Sequence, residues 1–417
     1  MEHEQPQALG GVRVLDLAGP IGAYCGRLLA GLGADVIKVE PPEGDPMRRW
    51  PPFYHDRPHP ERSLAFFHYH LNKRGITLDL EKPQGRDLFL SLAARADLVL
   101  EGFEPGYLPA LGLGFERLQQ ANPGLTLVSI TPFGQNGPYA HYKASDLVGL
   151  AMGGVLWLAG WPDRAPMAMG ASQGYFTASL LAANAAMLAL HYRDLAGEGQ
   201  HVDVSMEEAV ALDLETSMQF YDTRGLLIRR GGHYYTPLNP DLGPGMRRVY
   251  TAADGYINML VGVQRLEEWT TLLSWIDSEG MAGDLTEPRY REVETVRKDI
   301  AHVQQVFEAF TSRHTRQELF EGAHFRFPVE FFMAPVNTAA DIAADPHLAA
   351  RGFFIQVDHP ELGTSLRYPG PPFRLSETPW QVRKCAPLLG EDNCQVYGTE
   401  LGLSEDELQR LQAAGAI

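Results

Sequence analysis

Hydrophobic and polar residues at the start of the chain follow each other in blocks typical of alternating strands and helices. The run VRVLDLAG at 12–19 predicts a buried strand, and GAYCGRLLAGLGA at 22–34 predicts a helix that ends near Gly33. DVIKVE at 35–40 and GITLDL at 75–80 predict two further strands. Together they indicate an open, doubly wound α/β fold, in which ligands bind at the carboxyl ends of parallel strands.

The same alternation continues to about Tyr139, through a helix at 85–96 and a strand at 97–103, which favours a mostly parallel sheet. From about Thr216 the pattern changes to a Pro/Gly-rich loop, strand-like segments joined by Ala-Asp-Gly, and polar helices. We therefore predict a large Rossmann-like domain and a smaller α+β domain. The predicted boundaries are 1–215 for the large domain, 216–330 for the small domain, and 331–417 for the return to the large domain.

The longest helical pattern runs from Tyr175 to Asp194, about twenty small and apolar residues without Gly or Pro, and glycines stop it at 197 and 199. HVDVSM then alternates like a strand, and a further helical pattern starts at Glu207. The unpaired N–H groups at the start of a helix favour an anion. The first turn, Ser-Gln-Gly-Tyr at 172–175, contains no carboxylate of its own.

Composition narrows the possible partners and compartment. The 417-residue chain has 52 acidic and 35 basic residues and a formal net charge of −17, which argues against nucleic acid as a partner. Its three cysteines are too few and too scattered for a disulfide framework or a cysteine-based zinc site, and this indicates a reducing compartment. No signal peptide and no apolar run of about eighteen residues is present, so we expect a cytoplasmic protein without a membrane partner.

Several motifs, taken in their order along the chain, resemble the class III CoA-transferase family, also called the CaiB/BaiF family. The resemblance runs almost from end to end, and the order of the motifs is more specific than any one of them. The motifs are VRVLDLAGP, LLAGLGADVIKVEPPEGD, LNKRGITLDL, GLGFERLQQANPGLTLVSITPFGQNGPY, GEGQHVDVSM, APVNTAADIAADPHLAARGFF and APLLGEDN.

The resemblance implies a large doubly wound domain built from both chain ends, a small domain from the middle, and a dimer of interlocked chains. It implies CoA and acyl-CoA as substrates, with no tightly bound cofactor and no metal. In the family mechanism an Asp attacks the donor acyl-CoA to form a mixed anhydride, and CoA thiolate returns to form an aspartyl-CoA thioester. The acceptor carboxylate then takes over the CoA, so a covalent intermediate divides one difficult exchange into easier steps.

The sequence departs from the family at the nucleophile. An alignment without gaps from GWPDRAP to HYRDLAGEGQ places the family's Asp at Tyr175, whose phenol has a reference pKa of about 10. The CoA site is also altered, because a family Asn falls on Gly102 and a phosphate-binding Arg on Ala110. Loss of a guanidinium removes a contact of roughly 1.5–3 kcal/mol.

Other positions of the CoA site are retained by this resemblance, although each also has an ordinary structural interpretation as a surface or strand-end residue. The candidates for contacting CoA are Lys38, Asn72, Lys73, Arg74, Phe103 and Lys143. The loop at 239–245, NPDLGPG, takes the place of the family's mobile active-site loop, in which Gly243 and Gly245 supply conformational freedom.

Two other acids near the expected site are weaker candidates for the nucleophile. Asp146 and Asp163 both have ordinary interpretations as cap and turn residues. Pairing Ser172 with His191 or His141 as a serine-type site is less favoured still, because no G-x-S-x-G motif surrounds Ser172.

The favoured hypothesis is a nucleophile-lacking subunit in a heteromeric CoA-transferase that moves CoA between an acyl-CoA such as succinyl-CoA and an acid such as (R)-benzylsuccinate, as in anaerobic aromatic degradation. The partner would be a homologous chain that carries the Asp, in a heterodimer or heterotetramer. An aromatic wall for the acid is expected from Trp157, Trp161, Tyr175 and Phe176. Alternative hypotheses are a stand-alone acyl-CoA isomerase, racemase or lyase, and a homologue with no enzymatic role.

Overall fold

The computed structural model describes residues 6–214, 217–232, 246–261, 265–326 and 332–417. The chain forms two compact units. The larger unit contains the described residues up to Val155 together with Met169–Leu214 and His347–Ile417, and the smaller unit contains Leu156–Ala168 and the described residues between Glu215 and Pro346. Among the described residues, no helix is both long enough and apolar enough to cross a membrane.

Six parallel strands form the sheet of the larger unit. Their bounds are β1 (Arg13–Asp16), β2 (Asp35–Glu40), β3 (Arg74–Thr77), β4 (Leu98–Glu101), β5 (Thr126–Thr131) and β6 (His201–Ser205). They lie in the order β3-β2-β1-β4-β5-β6, which is the strand order of a doubly wound dinucleotide-binding fold. The predicted fold class, a mostly parallel doubly wound sheet with a smaller second unit, is therefore confirmed.

Helices cover both faces of this sheet, as its apolar strands require. The helices of this unit before the last quarter of the chain are α1 (Ala23–Gly31), α2 (Leu64–Tyr69), α3 (Pro83–Ala93), α4 (Tyr107–Ala110), α5 (Phe115–Ala121), α6 (Asp146–Met152), α8 (Gln173–Ala196) and α9 (Met206–Leu212). The short helix α7 (Val155–Leu158) lies in the smaller unit except for its first residue. Val14 and Leu98 belong to a core with α1 and α8, whereas Leu15 and Val99 belong to a second core with α3. This alternation follows from the two-residue period of a strand.

Helix α8 crosses the first of these cores with a row of small residues. Ala178, Ala182 and Ala186 are fully buried, so the backbone of α8 lies close to its neighbours. The helix ends at Gly197, which has the positive φ of 78° that glycine adopts without strain. The predicted helix from Tyr175 to Asp194 is confirmed and is one turn longer than predicted.

The smaller unit has a three-stranded antiparallel sheet and its own aromatic core. Its elements are α10 (Ser217–Arg224), β7 (Val249–Ala252), β8 (Gly255–Leu260), α11 (Leu266–Ser278), α12 (Val293–Lys298), α13 (Ile300–Thr311), α14 (Arg316–Glu321), a π-helical turn (Gly322–Arg326), β9 (Phe332–Pro335) and α15 (Ala339–Ala344). Strand β9 pairs with β8, so the chain re-enters the larger unit at His347, whereas the sequence pattern predicts the return at 331.

The C-terminal segment completes the larger unit. Its elements are α16 (Pro346–Ala350), β10 (Phe354–His359), β11 (Thr364–Pro369), a π-helical turn (Cys394–Glu400) and α17 (Glu405–Ala413). Strands β10 and β11 form an antiparallel hairpin. The predicted capping box at the start of α17 is confirmed, because Ser404 and Glu407 each accept from the other's backbone N–H.

Candidate functional site

A small pocket lies in the larger unit where α8 begins. The loop that follows β1 contributes Pro20, and Ser172 lies directly before the first residue of α8. The position agrees with the rule that ligands of doubly wound sheets bind beyond the carboxyl ends of the strands. The residues lining the pocket are Pro20, Tyr24, Met47, Trp50, Tyr69, Ser172, Tyr175, Phe176 and Ser179.

Packed aromatic rings form much of the pocket wall. Tyr24 stacks on Phe176, with ring centroids 4.3 Å apart, and meets Tyr69 edge to face at 6.4 Å. The guanidinium of Arg27 lies 5.8 Å from the ring of Tyr24 and donates to the carbonyl oxygen of Pro369. Stacked and edge-to-face rings with a cation behind them form a preformed apolar wall that retains polar phenol groups.

Tyr175, where the resemblance predicts the family's nucleophile, lies on the first turn of α8 and lines this pocket. The side chain is half-buried, and burial raises the pKa of its phenol above the ordinary value of 10. The phenol therefore stays protonated at neutral pH. A neutral phenol is a poor acyl acceptor compared with a carboxylate.

Asp146 fills the anion-binding position at the N-terminus of α8. Its Oδ1 accepts the backbone N–H of Tyr175 at 2.9 Å, and a Cβ on Gly174 would lie 3.2 Å from the same oxygen. Burial raises the pKa of Asp146, while hydrogen bonds from the N–H groups of Tyr175 and Gly174 oppose this shift. The first turn of α8 has no acid of its own, but Asp146, the first residue of α6, supplies one through the tertiary fold.

Lys38 is buried inside the larger unit and contacts only internal groups. Its Nζ donates to the carbonyl oxygen of Ala18 at 2.8 Å and lies 2.8 Å from Oδ2 of Asp45. Burial opposes the charge, but Asp45 and neighbouring carboxylates offset this effect, so the pKa of Lys38 is raised. The ammonium group is held by the protein and faces no solvent.

Lys73 is fully buried as well, beneath α1. Its Nζ lies 2.6 Å from Oδ2 of Asp16 and 3.1 Å from Nδ1 of His70. A Cβ on Gly26 would lie 2.4 Å from the same Asp16 oxygen, so α1 has a glycine where it passes over this ion pair. Burial lowers the pKa of Lys73, and Asp16 opposes that shift.

Asn72 and Arg74, on either side of Lys73, hold other parts of the chain together. The Asn72 side chain accepts the backbone N–H of Arg383 at 2.6 Å and donates to the carbonyl oxygen of Gln381 at 2.6 Å. Arg74 pairs with Asp35 and with Glu400. Four of the residues that the resemblance assigns to CoA therefore have partners within this chain. They are Lys38, Asn72, Lys73 and Arg74.

The remaining candidates are spread over the larger unit. Phe103 packs on the second core with its ring 4.6 Å from that of Tyr107, and a Cβ on Gly102 would lie 3.0 Å from Cγ2 of Ile21. Ala110 is exposed at the end of α4, and Lys143 is exposed in the segment before α6. Gly243 and Gly245 lie outside the described residues.

Three of the other expected groups belong to the smaller unit. Trp157 and Asp163 belong to the smaller unit, where the Trp157 Nε1–H donates to the carbonyl oxygen of Ile228 at 2.9 Å. Trp161 also lies in that unit. The pairing of Ser172 with His191 is wrong. The two residues are nineteen positions apart on one helix, which places them about 28 Å from each other. The sequence interpretation missed Tyr24, Trp50 and Tyr69, which carry no motif of their own.

A family model described as CoA-transferase family III matches residues 9–393 of this chain. The chain belongs to CoA-transferase family III. The family assignment made from the ordered motifs is therefore confirmed. Enzymes of this family act on CoA thioesters, which supports CoA-transferase activity for this chain.

Relatives within CoA-transferase family III include enzymes named for succinyl-CoA. The chain is 36% identical over 414 residues to the Succinyl-CoA:(R)-benzylsuccinate CoA-transferase subunit BbsE of Thauera aromatica, which covers 97% of each chain. It is 35% identical over 417 residues to the Succinyl-CoA–D-citramalate CoA-transferase of Chloroflexus aurantiacus, covering 99% of this chain and 98% of that protein.

A solved structure shows the same fold. The crystal structure of a CaiB/BaiF family protein from Brucella suis superposes with a TM-score of 0.80 at 31% sequence identity, and the match covers 95% of this chain and 100% of that chain.

Proposed function

We propose that this chain is the non-catalytic subunit of a heteromeric CoA-transferase. The enzyme would move CoA from succinyl-CoA to a free carboxylic acid such as (R)-benzylsuccinate, and the nucleophilic Asp would lie on a homologous partner chain. The observation that carries the proposal is the half-buried, protonated phenol of Tyr175 at the position of the family's attacking carboxylate. Relatives named as succinyl-CoA enzymes, two of them as subunits, support the reaction class and the heteromer.

In this proposal the partner's Asp carries every covalent intermediate, and this chain excludes water and helps to bind the acid. An acyl-aspartyl anhydride hydrolyses if water reaches it, so exclusion of water is a requirement of the reaction. A preformed wall of Tyr24, Tyr69 and Phe176 suits the binding of an aryl-containing acid, with phenol groups available to orient polar atoms. The charge on Asp146 disfavours a second anion at the start of α8. A neutral phenol at position 175 is compatible with that charge, and the proposal places the carboxylate nucleophile on the partner chain.

A surface of α8 supports association with a second chain. Exposed apolar side chains recur along one face of this helix, and Leu188 and Leu195 are 71% and 76% exposed. Large exposed apolar patches are unfavourable on a monomer and are typical of interfaces. We propose that the Asp-bearing homologue covers this face in an interlocked dimer. The residues of the face are Leu180, Met187, Leu188, Tyr192 and Leu195.

Binding of CoA by this chain rests on Lys143 in this proposal. Lys143 is exposed, whereas the ammonium groups of Lys38 and Lys73 are buried in ion pairs. CoA and its thioesters are substrates, and no tightly bound cofactor is proposed. Cysteines 25, 385 and 394 are free thiols, which agrees with the proposed cytoplasmic location.

The decisive experiment compares this chain alone with this chain co-expressed with an Asp-bearing homologue. CoA exchange from succinyl-CoA to (R)-benzylsuccinate is measured, and covalent enzyme–CoA thioester is sought by mass spectrometry after a short reaction. We expect turnover and a thioester only with the pair, and the thioester only on the partner. Full turnover by the lone chain would falsify the proposal, and a well-folded but inert pair would favour the stand-alone isomerase or non-enzymatic alternatives.

The aromatic wall provides a more specific test in the reconstituted pair. Phe176→Ala removes the ring stacked on Tyr24, and such a contact is worth roughly 0.5–1.5 kcal/mol. We expect the KM for an aryl acid to rise about three- to tenfold, with a much smaller effect for an aliphatic acid. Phe373→Ala, at an exposed ring outside the pocket, is the control. Equal effects on both acids would contradict the assignment of the wall to the acid.

A further inference from the structure

A second group of reactive side chains lies in the C-terminal part of the larger unit. His359 ends strand β10, Glu361 lies in the turn that follows, and Cys385 comes from the segment after β11. One ligand atom from each residue lies within 4.8 Å of the other two. His359 is fully buried, the Glu361 side chain is 16% exposed, and Cys385 is partly buried.

The imidazole of His359 has two aromatic neighbours and a polar partner at each nitrogen. Its ring packs 4.7 Å from Phe67 and stacks on Tyr368 at 5.8 Å. Nε2 lies 2.8 Å from the Tyr368 hydroxyl, and Nδ1 lies 2.6 Å from Oε1 of Glu361. Nδ1 therefore faces Glu361, while Nε2 is held by the Tyr368 hydroxyl.

We propose that His359, Glu361 and Cys385 bind one Zn²⁺ ion. Imidazole nitrogen, carboxylate oxygen and thiolate sulfur are the three ligand types that Zn²⁺ takes in proteins, and three protein ligands leave a fourth position for water. A carboxylate and a thiolate together balance the charge of the ion. With Zn²⁺ on Nδ1, the Nε2–H donates to the Tyr368 oxygen, which is the usual outer hydrogen bond of a metal-bound histidine.

The observed distances fit such a site after small side-chain movements. Zn–N and Zn–O bonds of about 2.0–2.2 Å and a Zn–S bond of about 2.3 Å hold the ligand atoms roughly 3–4 Å apart. The Glu361 oxygen, now 2.6 Å from Nδ1, moves slightly away, and the Cys385 sulfur moves inwards. Both side chains are at the partly exposed edge of the cluster, whereas the buried His359 stays in place.

The bound ion would tie the β10–β11 hairpin to the segment that follows it. This hairpin ends at Pro369, whose carbonyl oxygen accepts a hydrogen bond from Arg27 behind the Tyr24 ring. The ion would therefore support the pocket wall through Arg27. The site is independent of the subunit role proposed above, because it uses residues of this chain alone.

The test measures metal binding by the purified full chain after treatment with a chelator. Zn²⁺ is titrated in competition with a coloured chelator, and Co²⁺ is used to look for thiolate-to-metal charge-transfer absorption. We expect one Zn²⁺ per chain, and Cys385→Ser lowers the affinity by about 100-fold or more and abolishes the thiolate band. Cys394→Ser, at an exposed cysteine outside the cluster, leaves both unchanged and is the matched control.

Two results would overturn the site. One is equal Zn²⁺ affinity in the Cys385→Ser variant and the parent, and the other is a Co²⁺ spectrum without a thiolate band that depends on Cys385. Glu361→Gln provides a second variant at a partly exposed position, and circular dichroism confirms that each variant is folded. Zn²⁺ affinity is measured without substrate, so an inert enzyme pair does not affect this result.

Discussion

Two neighbouring regions of the larger unit use the same short segments in opposite ways. One is the ion-pair network, defined by Asp16, Lys38, Glu40, Asp45, Arg48 and Lys73, and the other is the aromatic pocket around Tyr175. Met47 lines the pocket while Arg48, the next residue, pairs with Glu40 at 2.6 Å. Tyr69 lines the pocket while His70 contacts Lys73.

The comparison distinguishes charged residues that stabilise the fold from residues that line a candidate ligand site. In the ion-pair network both lysine ammonium groups have internal partners, and breaking one such pair leaves an uncompensated buried charge. In the aromatic pocket the lining consists mostly of aromatic rings and hydroxyl groups. Basic residues that look like CoA ligands by sequence position therefore stabilise the fold, and aromatic residues without a motif line the candidate site.

The largest expected effect comes from the ion-pair network. Lys73→Met leaves the carboxylate of Asp16 buried without its partner, so we expect a loss of roughly 3–5 kcal/mol in the free energy of unfolding. Lys143→Met, at an exposed lysine in the segment before α6, should change the free energy of unfolding by less than about 0.5 kcal/mol. Urea denaturation measures both. Similar values for the two variants would remove the contrast between the regions.

The second prediction concerns acid stability at the border of the two regions. Burial and the neighbouring Arg27 lower the pKa of His68 to about 3, against about 6.5 in the unfolded chain. The unfolded state then binds more protons, so stability falls as pH decreases from about 6.5 towards 3. His68→Gln should retain on the order of 2 kcal/mol more of its neutral-pH stability at pH 4 than the parent does. His141→Gln, at an exposed histidine, is the control, and parallel pH profiles for all three proteins would contradict the shift.

A smaller effect is expected at the start of α8. Asp146→Ala removes the acceptor for the Tyr175 N–H and should cost about 1 kcal/mol of unfolding free energy. Asp146→Asn keeps a side-chain oxygen at the same place and should lose less than half as much. Thermal unfolding of the two variants at neutral pH distinguishes them. Equal losses would mean that the cap does not hold the helix as described.

The smallest effect is expected at Tyr175 itself. Tyr175→Phe removes only the phenol oxygen, so stability should change by less than about 0.5 kcal/mol and turnover of the reconstituted pair by less than about twofold. Denaturation and a CoA-exchange assay measure the two quantities. A tenfold loss of turnover at unchanged stability would show that the phenol takes part in the chemistry, and the pocket would then contain an active group.

Much of the larger unit follows from local sequence patterns. The strands at 13–16 and 35–40, helix α8 and its glycine stop were all predictable, because strand and helix periods and the conformational freedom of glycine act over a few residues. The family followed from the order of the motifs. The point at which the chain returns to the larger unit could not be predicted in this way, because it depends on the pairing of β9 with β8.

The sequence by itself determined the fold class, the family and the absence of a carboxylate at position 175, since each depends on the order and identity of residues along the chain. Only the tertiary structure decided that Lys38 and Lys73 are buried with Asp45 and Asp16, because burial and pairing depend on segments far apart in the chain. The approach of Cys385 to His359 is of the same kind. Charges and ligand atoms act over distances of a few ångströms in space, and spacing along the chain does not contain that information.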